Sequence, residues 1–239
     1  MAGHSHWAGI KHHKAAQDKK RSKYFSKFSK AIMIAAKDGG GDPDQNLSLR
    51  YAIDRAKAGN MPNDSIDRAI KKGTGEFGDK RFEEVIYEGY GAGGVAILVE
   101  ALTDNRNRTA PEMRFTFSKY GGNMANKGSV AFMFDRQGLL AVEGAPYDEV
   151  FEVAAEAGAE DVSDEDGMIA ISTPPEAFAA VKAALVAKGY TLSTAELGFV
   201  PQNYVTLEGK DAESVETLVS MLEDNDDVQA VHHNMQLAE

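Results

Sequence analysis

The sequence predicts an α+β fold, with a small helical domain at the amino-terminal end and two α/β domains after it. Three observations support this prediction. Apolar residues recur at helical spacing up to residue 73, and a complete β-α-β-β-α-β pattern follows between residues 139 and 200. An incomplete set of strands and helices lies on each side of that pattern. A chain of 239 residues is also longer than most single domains.

The first predicted helix begins at Ser22 and ends at the glycines 39–41, which can adopt positive φ. Its apolar stripe consists of residues three or four positions apart, namely Phe25, Phe28, Ile32 and Ala36. Lys23, Lys27 and Lys30 fall on the opposite side of the helical wheel. We therefore expect these three lysines to form a ladder of ammonium groups that faces solvent.

Two further helices complete the predicted helical domain. The second helix runs over Leu47–Ala58, and the third begins at Pro62, a residue type suited to the first helical turn. Lys71 and Lys72 lie in the last turn of the third helix, where positive charge suits the helix dipole. The glycine-rich residues 73–78 are a natural linker to the next domain.

After residue 80 the apolar residues change to the pattern of strands and shorter helices. Before residue 137 we predict the strands Glu84–Gly89 and Val95–Leu102, the helix Pro111–Tyr120 and the strand Val130–Phe134. The central pattern has the strands Leu139–Val142, Ala159–Val162, Met168–Ser172 and Thr191–Phe199, with the helices Tyr147–Ala157 and Pro175–Lys188. The tail has the strand Tyr204–Leu207, the helix Ala212–Glu223 and the strand Val228–His232. Split β-α-β patterns of this kind predict ferredoxin-like domains.

The two flanks of the central pattern are each too small to bury a sheet. We expect them to combine into one domain, with the central pattern inserted into it. The predicted organisation is a flexible basic arm at residues 1–21, a helical domain at 22–78, a discontinuous α/β domain at 79–137 plus 202–239, and an inserted acidic α/β domain at 138–201.

The distribution of charge is the most informative feature for function. The formal net charge is −11, yet the first 37 residues hold nine lysines and arginines against one acid, Asp18. Residues 1–80 have 16 cations and nine acids (+7), residues 81–138 have seven of each, and residues 139–239 have three cations and 21 acids (−18). A basic arm on an acidic body predicts a nucleic-acid partner, DNA or ribosomal RNA. The alternative is a solvated leader with no partner.

The candidate nucleic-acid contacts are the polar and aromatic residues of the arm, the lysines of the first helix and two arginines of a later loop. They are His4, His6, Trp7, Lys11, His12, His13, Lys14, Lys19, Lys20, Arg21, Lys23, Lys27, Lys30, Arg106 and Arg108. Trp7 either stacks on an unpaired base or folds back onto the helical domain. The two arginines fork onto phosphates or onto carboxylates, and Asp104 or Asn105 caps the helix that follows.

Several classes of function are excluded or disfavoured. The chain has no cysteine, which excludes disulfides, thiolate catalysis and cysteine-based zinc sites. A hydrolase built on the amino-terminal histidines lacks a carboxylate complement at metal-ligand spacing, so we expect no enzyme activity, metal or cofactor. No secretory signal and no apolar run of membrane-spanning length are present, so we expect a cytoplasmic protein that does not bind membranes. We also expect it to be a monomer.

Several runs of residues resemble the YebC family over essentially the whole chain. They are Gly3-His-Ser-His-Trp7, Lys14-Ala-Ala-Gln-Asp18, Gly39-Gly-Gly-Asp-Pro43, Asn60-Met-Pro62, Arg68-Ala-Ile-Lys-Lys-Gly73, Tyr87-Glu-Gly-Tyr-Gly91, Leu102-Thr-Asp-Asn-Arg-Asn-Arg-Thr109, Gly121-Gly-Asn123 and Gly128-Ser-Val130. The family includes bacterial proteins labelled transcriptional regulators and the mitochondrial translational activator of cytochrome oxidase subunit one.

The resemblance implies three domains, the third inserted within the second, and a non-enzymatic role in gene expression. By the family label the chain is a DNA-binding transcriptional regulator. The alternative that the resemblance offers is a ribosome-associated translation factor that binds rRNA or tRNA and relieves stalled translation. The residues themselves lean towards the second version, because the lysine ladder supplies phosphate contacts without a means of reading bases.

Overall fold

The computed structural model describes residues 21–75, 82–165 and 167–238. Three helices come first: α1 (Arg21–Gly39), α2 (Leu47–Ala58) and α3 (Asn63–Gly73). The elements that follow are β1 (Glu83–Tyr90), β2 (Ala96–Thr103), α4 (Arg106–Lys119), β3 (Asn123–Met124), β4 (Phe134–Glu143), α5 (Tyr147–Glu156), β5 (Asp161–Glu165), β6 (Met168–Thr173), α6 (Phe178–Ala187), β7 (Leu192–Pro201), β8 (Val205–Leu207), α7 (Gly209–Glu223), β9 (Val228–His233) and β10 (Met235–Leu237). The predicted α+β class, with helices first and sheets after them, is confirmed.

The helical domain, residues 21–75, is built around the apolar stripe of α1. Ile32 and Ala36 are buried together with Leu49 of α2 and Ile66 of α3. Asn46 ties the first two helices together. Its side chain accepts a hydrogen bond from the backbone N–H of Leu49 at 3.0 Å, and its amide donates to a backbone carbonyl of α1 at 2.6 Å. The predicted stripe therefore does pack the core of this domain.

Residues 82–132 and 203–238, here called the split domain, share one antiparallel sheet with the strand order β3-β1-β2-β9. The central pairing joins the two chain segments, because β2 lies beside β9 with Val99 opposite Val231. Helices α4 and α7 contribute Met113, Phe117 and Leu218 to the same core, all fully buried. Strands β8 and β10 form a separate parallel pair.

Residues 133–202 form a compact unit of their own, here called the inserted unit. Its antiparallel sheet has the order β5-β6-β4-β7, so the unit's own second, third, first and fourth strands lie side by side. This order is that of a split β-α-β fold. Val150 of α5 and Val181 and Leu185 of α6 are fully buried. The predicted β-α-β-β-α-β succession of this segment is confirmed.

Helix α4 begins five residues before its predicted start. Asn105 caps it, because its side chain accepts a hydrogen bond from the backbone N–H of Arg108 at 3.1 Å. Pro111 therefore lies inside the helix rather than at its first position. Asn105, one of the two predicted capping residues, therefore defines the start of the helix. Pro111 is tolerated inside the helix because it removes only one backbone donor.

The predicted strand Val130–Phe134 is wrong. The buried carboxylate of Glu88 accepts hydrogen bonds from the backbone N–H groups of Gly128, Val130 and Ala131, at 2.6, 2.7 and 2.8 Å. Donors held by a side chain are not available to a neighbouring strand, so this segment forms a loop and a single 3₁₀ turn. The strand that follows, β4, starts at Phe134 and is longer than predicted.

Within the part of the chain that the structure describes, no helix combines the length and the apolar character needed to cross a bilayer.

Candidate nucleic-acid interface

Most of the predicted arm lies outside the described residues. This holds for nine of the candidate contacts, namely His4, His6, Trp7, Lys11, His12, His13, Lys14, Lys19 and Lys20. Arg21 and Lys23 belong to the first turn of α1, of which only the backbone is described. The role of the arm therefore stays a prediction. The four remaining candidates lie in described parts of the chain.

Lys27 does not face solvent, and the prediction of a solvent-facing ladder is wrong at this position. The residue is only 7% exposed, and its Nζ donates a hydrogen bond to the backbone carbonyl of Glu223 at 2.5 Å. Glu223 is the last residue of α7, where helix carbonyls lack partners within the helix and the dipole is negative. Burial lowers the pKa of Lys27 to about 8, against the opposing attraction of Glu223 and other acids nearby.

Lys30 is held one turn further along α1, and here too the expected exposure is wrong. Its Nζ lies 2.6 Å from Oδ1 of Asp227 and donates to the backbone carbonyl of Asp226 at 2.8 Å. The side chain is 15% exposed. Lys27 and Lys30 therefore attach the helical domain to the end of α7 and the loop that follows it.

The carboxylate of Asp227 is the centre of this contact. Besides Lys30, it binds a terminal guanidinium nitrogen of Arg108 at 2.7 Å and the hydroxyls of Thr109 at 2.7 Å and Thr103 at 3.2 Å. Its side chain is 5% exposed. Burial alone would raise the pKa of Asp227, but the hydrogen bonds from Lys30, Arg108 and Thr109 outweigh it and lower the pKa to about 2.

The two loop arginines differ in their surroundings. Arg108 forks between Asp227 and Asp104, whose Oδ1 lies 3.1 Å away, so it follows the carboxylate alternative. Arg106 is 62% exposed, with its guanidinium 3.7 Å from the carboxylate of Glu83. Arg106 therefore remains available to an external anion, whereas much of the hydrogen-bonding capacity of Arg108 is used inside the split domain.

Two models of protein domains match the chain. The "TACO1/YebC protein N-terminal domain" matches residues 5–76, and the "TACO1/YebC second and third domain" matches residues 82–235. The chain belongs to the TACO1/YebC family.

Two relatives and one solved structure are similar to this chain over nearly its full length. Proteins named "Probable transcriptional regulatory protein" from Syntrophotalea carbinolica and Geobacter sulfurreducens are each 52% identical, over all of this chain and 97% of their own length. The crystal structure of a conserved hypothetical protein, Aq1575 from Aquifex aeolicus, has a TM-score of 0.88 and 44% identity, and the match covers 98% of each chain.

The basic character of this TACO1/YebC helical domain therefore has two separate sources. One source is internal: Lys27 and Lys30 satisfy acceptors of the split domain. The other is a set of exposed cations on the surface of the helical domain, comprising Lys37, Arg50, Arg55, Lys57, Arg68, Lys71 and Lys72. Residues 21–75 hold 11 cations against six acids, so the domain has a net charge of +5.

Two features of this site were not predicted from the sequence. Lys71 and Lys72 were expected only to interact with the helix dipole, although both are exposed in the structure. Asp227, the residue on which two predicted phosphate ligands converge, was not among the candidate residues. Nothing in the local sequence around Asp227 distinguishes it from its neighbours Asp224 and Asp226. Among the described residues, no group of histidines and acids is arranged to hold a metal ion.

Proposed function

We propose that the chain is a nucleic-acid-binding regulator of gene expression in the cytoplasm that acts as a monomer and does not catalyse a reaction. The observation that carries this proposal is the charge distribution, with +7 on residues 1–80 and −18 on residues 139–239. Such a chain presents one end to a polyanion, while its carboxyl-terminal part is repelled by the same polyanion. The names of its relatives support a role in transcriptional regulation.

In this proposal the contact surface consists of the arm and the exposed cations of the helical domain. Lys27 and Lys30 are not part of it while the helical domain stays attached to the split domain, since both ammonium groups already have buried partners. Arg106, which is largely exposed, is available as an additional contact.

The salt dependence of binding tests this proposal. Each phosphate that a cation neutralises changes the slope of log K against log salt by roughly −0.9 on duplex DNA and −0.7 on single strands. Removal of residues 1–21 takes away five cations, so the slope on duplex DNA should become shallower by up to about 4.5. Binding should be measured for the full chain and the shortened chain over a salt series. Equal affinity and equal slope would contradict the proposal.

A second candidate function, a ribosome-associated translation factor, is favoured by the kind of contacts that the chain offers. The lysines of the arm and of the helix ends bind phosphate without reading base edges, which suits structured RNA as well as DNA. Co-sedimentation with ribosomes and capture on promoter DNA, compared in one extract at one salt concentration, separates the two. A regulator of transcription should prefer the promoter over random duplex DNA, whereas a translation factor should follow the ribosomes.

A further inference from the structure

A second positive stretch lies outside the arm and the helical domain. Residues 105–134 hold five cations (Arg106, Arg108, Arg114, Lys119 and Lys127) against one acid, Glu112. The stretch therefore has a net charge of +4, shortly before the segment 139–239, which has a net charge of −18. Residues 81–138 are neutral overall, so five of their seven cations are concentrated in this stretch while six of their seven acids lie outside it.

The same stretch contains the two most exposed large apolar side chains of the described residues. Phe115 is 63% exposed and Phe132 is 71% exposed, compared with 46% for Phe151 of the inserted unit. Single exposed apolar residues are ordinary on protein surfaces. Two phenylalanines of this exposure within one basic stretch are less ordinary. Protein surfaces that bind single-stranded nucleic acid combine cations with exposed aromatic rings in this way.

The orientation of Phe115 follows from the packing of α4. Met113 and Phe117, on the opposite side of the helix, are fully buried in the core of the split domain. The helix cannot rotate to bury Phe115 without taking those two side chains out of the core. Arg114, Phe115 and Lys119 are therefore held on the outer side of α4, and all three are exposed.

Lys119 and the aromatic rings form a compact cluster on that side. Its Nζ lies 5.5 Å from the ring centroid of Phe115 and 5.2 Å from that of Tyr120. Both distances are within the range of a cation–π contact. The ammonium group is thereby placed beside an exposed ring, so that one ligand can meet a flat apolar surface and a positive charge together.

We propose that the Phe115 surface, formed by Arg114, Phe115, Lys119 and Tyr120, is a second nucleic-acid contact at which an unpaired base stacks on Phe115. Stacking on an aromatic ring requires a base that is not paired within a duplex, and the neighbouring cations suit the phosphates on either side of that base. Unpaired bases occur in RNA and in melted DNA, and the surface accepts both chemistries. This inference rests on the proposed nucleic-acid function and adds to it a preference for single strands.

The test measures the affinity of the full chain for an unstructured single-stranded RNA, a single-stranded DNA of the same sequence and the matching duplex DNA. Phe115→Ala should weaken binding to both single strands by about 5- to 150-fold and leave duplex binding unchanged, because a stacked base is lost and no charge is removed. Phe115→Trp should bind the single strands at least as well as the parent chain. Unequal losses on RNA and DNA would show which of the two is the preferred source of the base.

Phe151→Ala is the matched control, since it removes the same exposed side chain from the acidic inserted unit and should change no affinity. Unchanged thermal unfolding of Phe115→Ala shows that the loss is not a folding defect. If Phe115→Ala and Phe151→Ala bind single strands equally well, the Phe115 surface is not a nucleotide site, and its exposed ring serves another purpose. If the parent chain binds none of the three nucleic acids at low salt, the proposed function itself fails.

Discussion

The helical domain contains two lysine pairs that look alike in the sequence and differ in the structure. Lys27 of α1 is buried against the end of α7 and Lys30 is only 15% exposed beside the loop that follows it, whereas Lys71 and Lys72 of α3 are exposed. The first pair joins two parts of the fold, and the second is free to meet an external anion. A count of positive charges therefore does not tell how many of them a polyanion can reach. The three predictions that follow test this difference.

Replacement of Asp227 by Ala should have the largest effect on stability. It removes the buried carboxylate that pairs with Lys30 and accepts hydrogen bonds from Thr103 and Thr109, and breaking a buried ion pair in this way costs about 3–5 kcal/mol. Urea unfolding should show this loss. Asp226→Ala changes an exposed carboxylate in the same loop and should alter the free energy of unfolding by less than about 0.5 kcal/mol. Equal effects of the two substitutions would show that the Asp227 cluster is not a stabilising contact.

The dependence of stability on pH should next reveal the burial of Lys27. The folded chain releases the proton of Lys27 near pH 8, whereas the unfolded chain holds it up to about pH 10.5. Between these values the unfolded state binds more protons, so the contribution of Lys27 to the free energy of unfolding rises with pH, by roughly 3 kcal/mol. Below pH 8 the residue is protonated in both states and contributes no pH dependence.

The measurement compares the parent chain with Lys27→Met and with Lys71→Met across pH 7–11. The difference between the parent chain and Lys27→Met should increase through the window from pH 8 to 10.5, because only the parent chain has the titrating amine. Lys71→Met is the control for removing an exposed lysine from the same domain. A constant difference between the parent chain and Lys27→Met would mean that Lys27 is not desolvated in the folded state.

The contrast between the lysine pairs also shows which features of the fold the sequence predicts and which it does not. Apolar periodicity correctly predicted the core stripe of α1, because helical spacing decides which residues face the other two helices. The same wheel placed Lys27 and Lys30 on the opposite side, which is correct, but another part of the fold covers that side. The partners of Lys27 and Lys30 are 196 and 197 residues away in the chain, and local patterns carry no information about contacts of that range.

In the split domain, too, local patterns predicted the strands except where a distant residue intervenes. Strands β1 and β2 were predicted, and so was the order of strands and helices in the inserted unit. The segment Val130–Phe134 was mispredicted, because its backbone donors are taken by Glu88, a residue about 40 positions earlier. Asn105 was one of two named capping candidates, so local polar chemistry was recognised where its partner is close. For the candidate interface, the sequence identified the charge but not which cations are already engaged.

Replacement of the exposed pair, Lys71 and Lys72, should have the smallest effect. The salt dependence of nucleic-acid binding is the most direct measurement of it. Lys71→Gln together with Lys72→Gln should reduce the slope of log K against log salt by roughly 1 per lysine and weaken duplex binding about tenfold near physiological salt.

The same double variant should change the free energy of unfolding by no more than about 1 kcal/mol, through the lost interaction with the dipole of α3. Lys27→Met with Lys30→Met is the matched comparison: it removes two cations from the same domain and should lower stability while leaving the slope unchanged. If the buried pair alters the slope as much as the exposed pair does, the helical domain detaches from α7 when it binds, and all four lysines reach the phosphates.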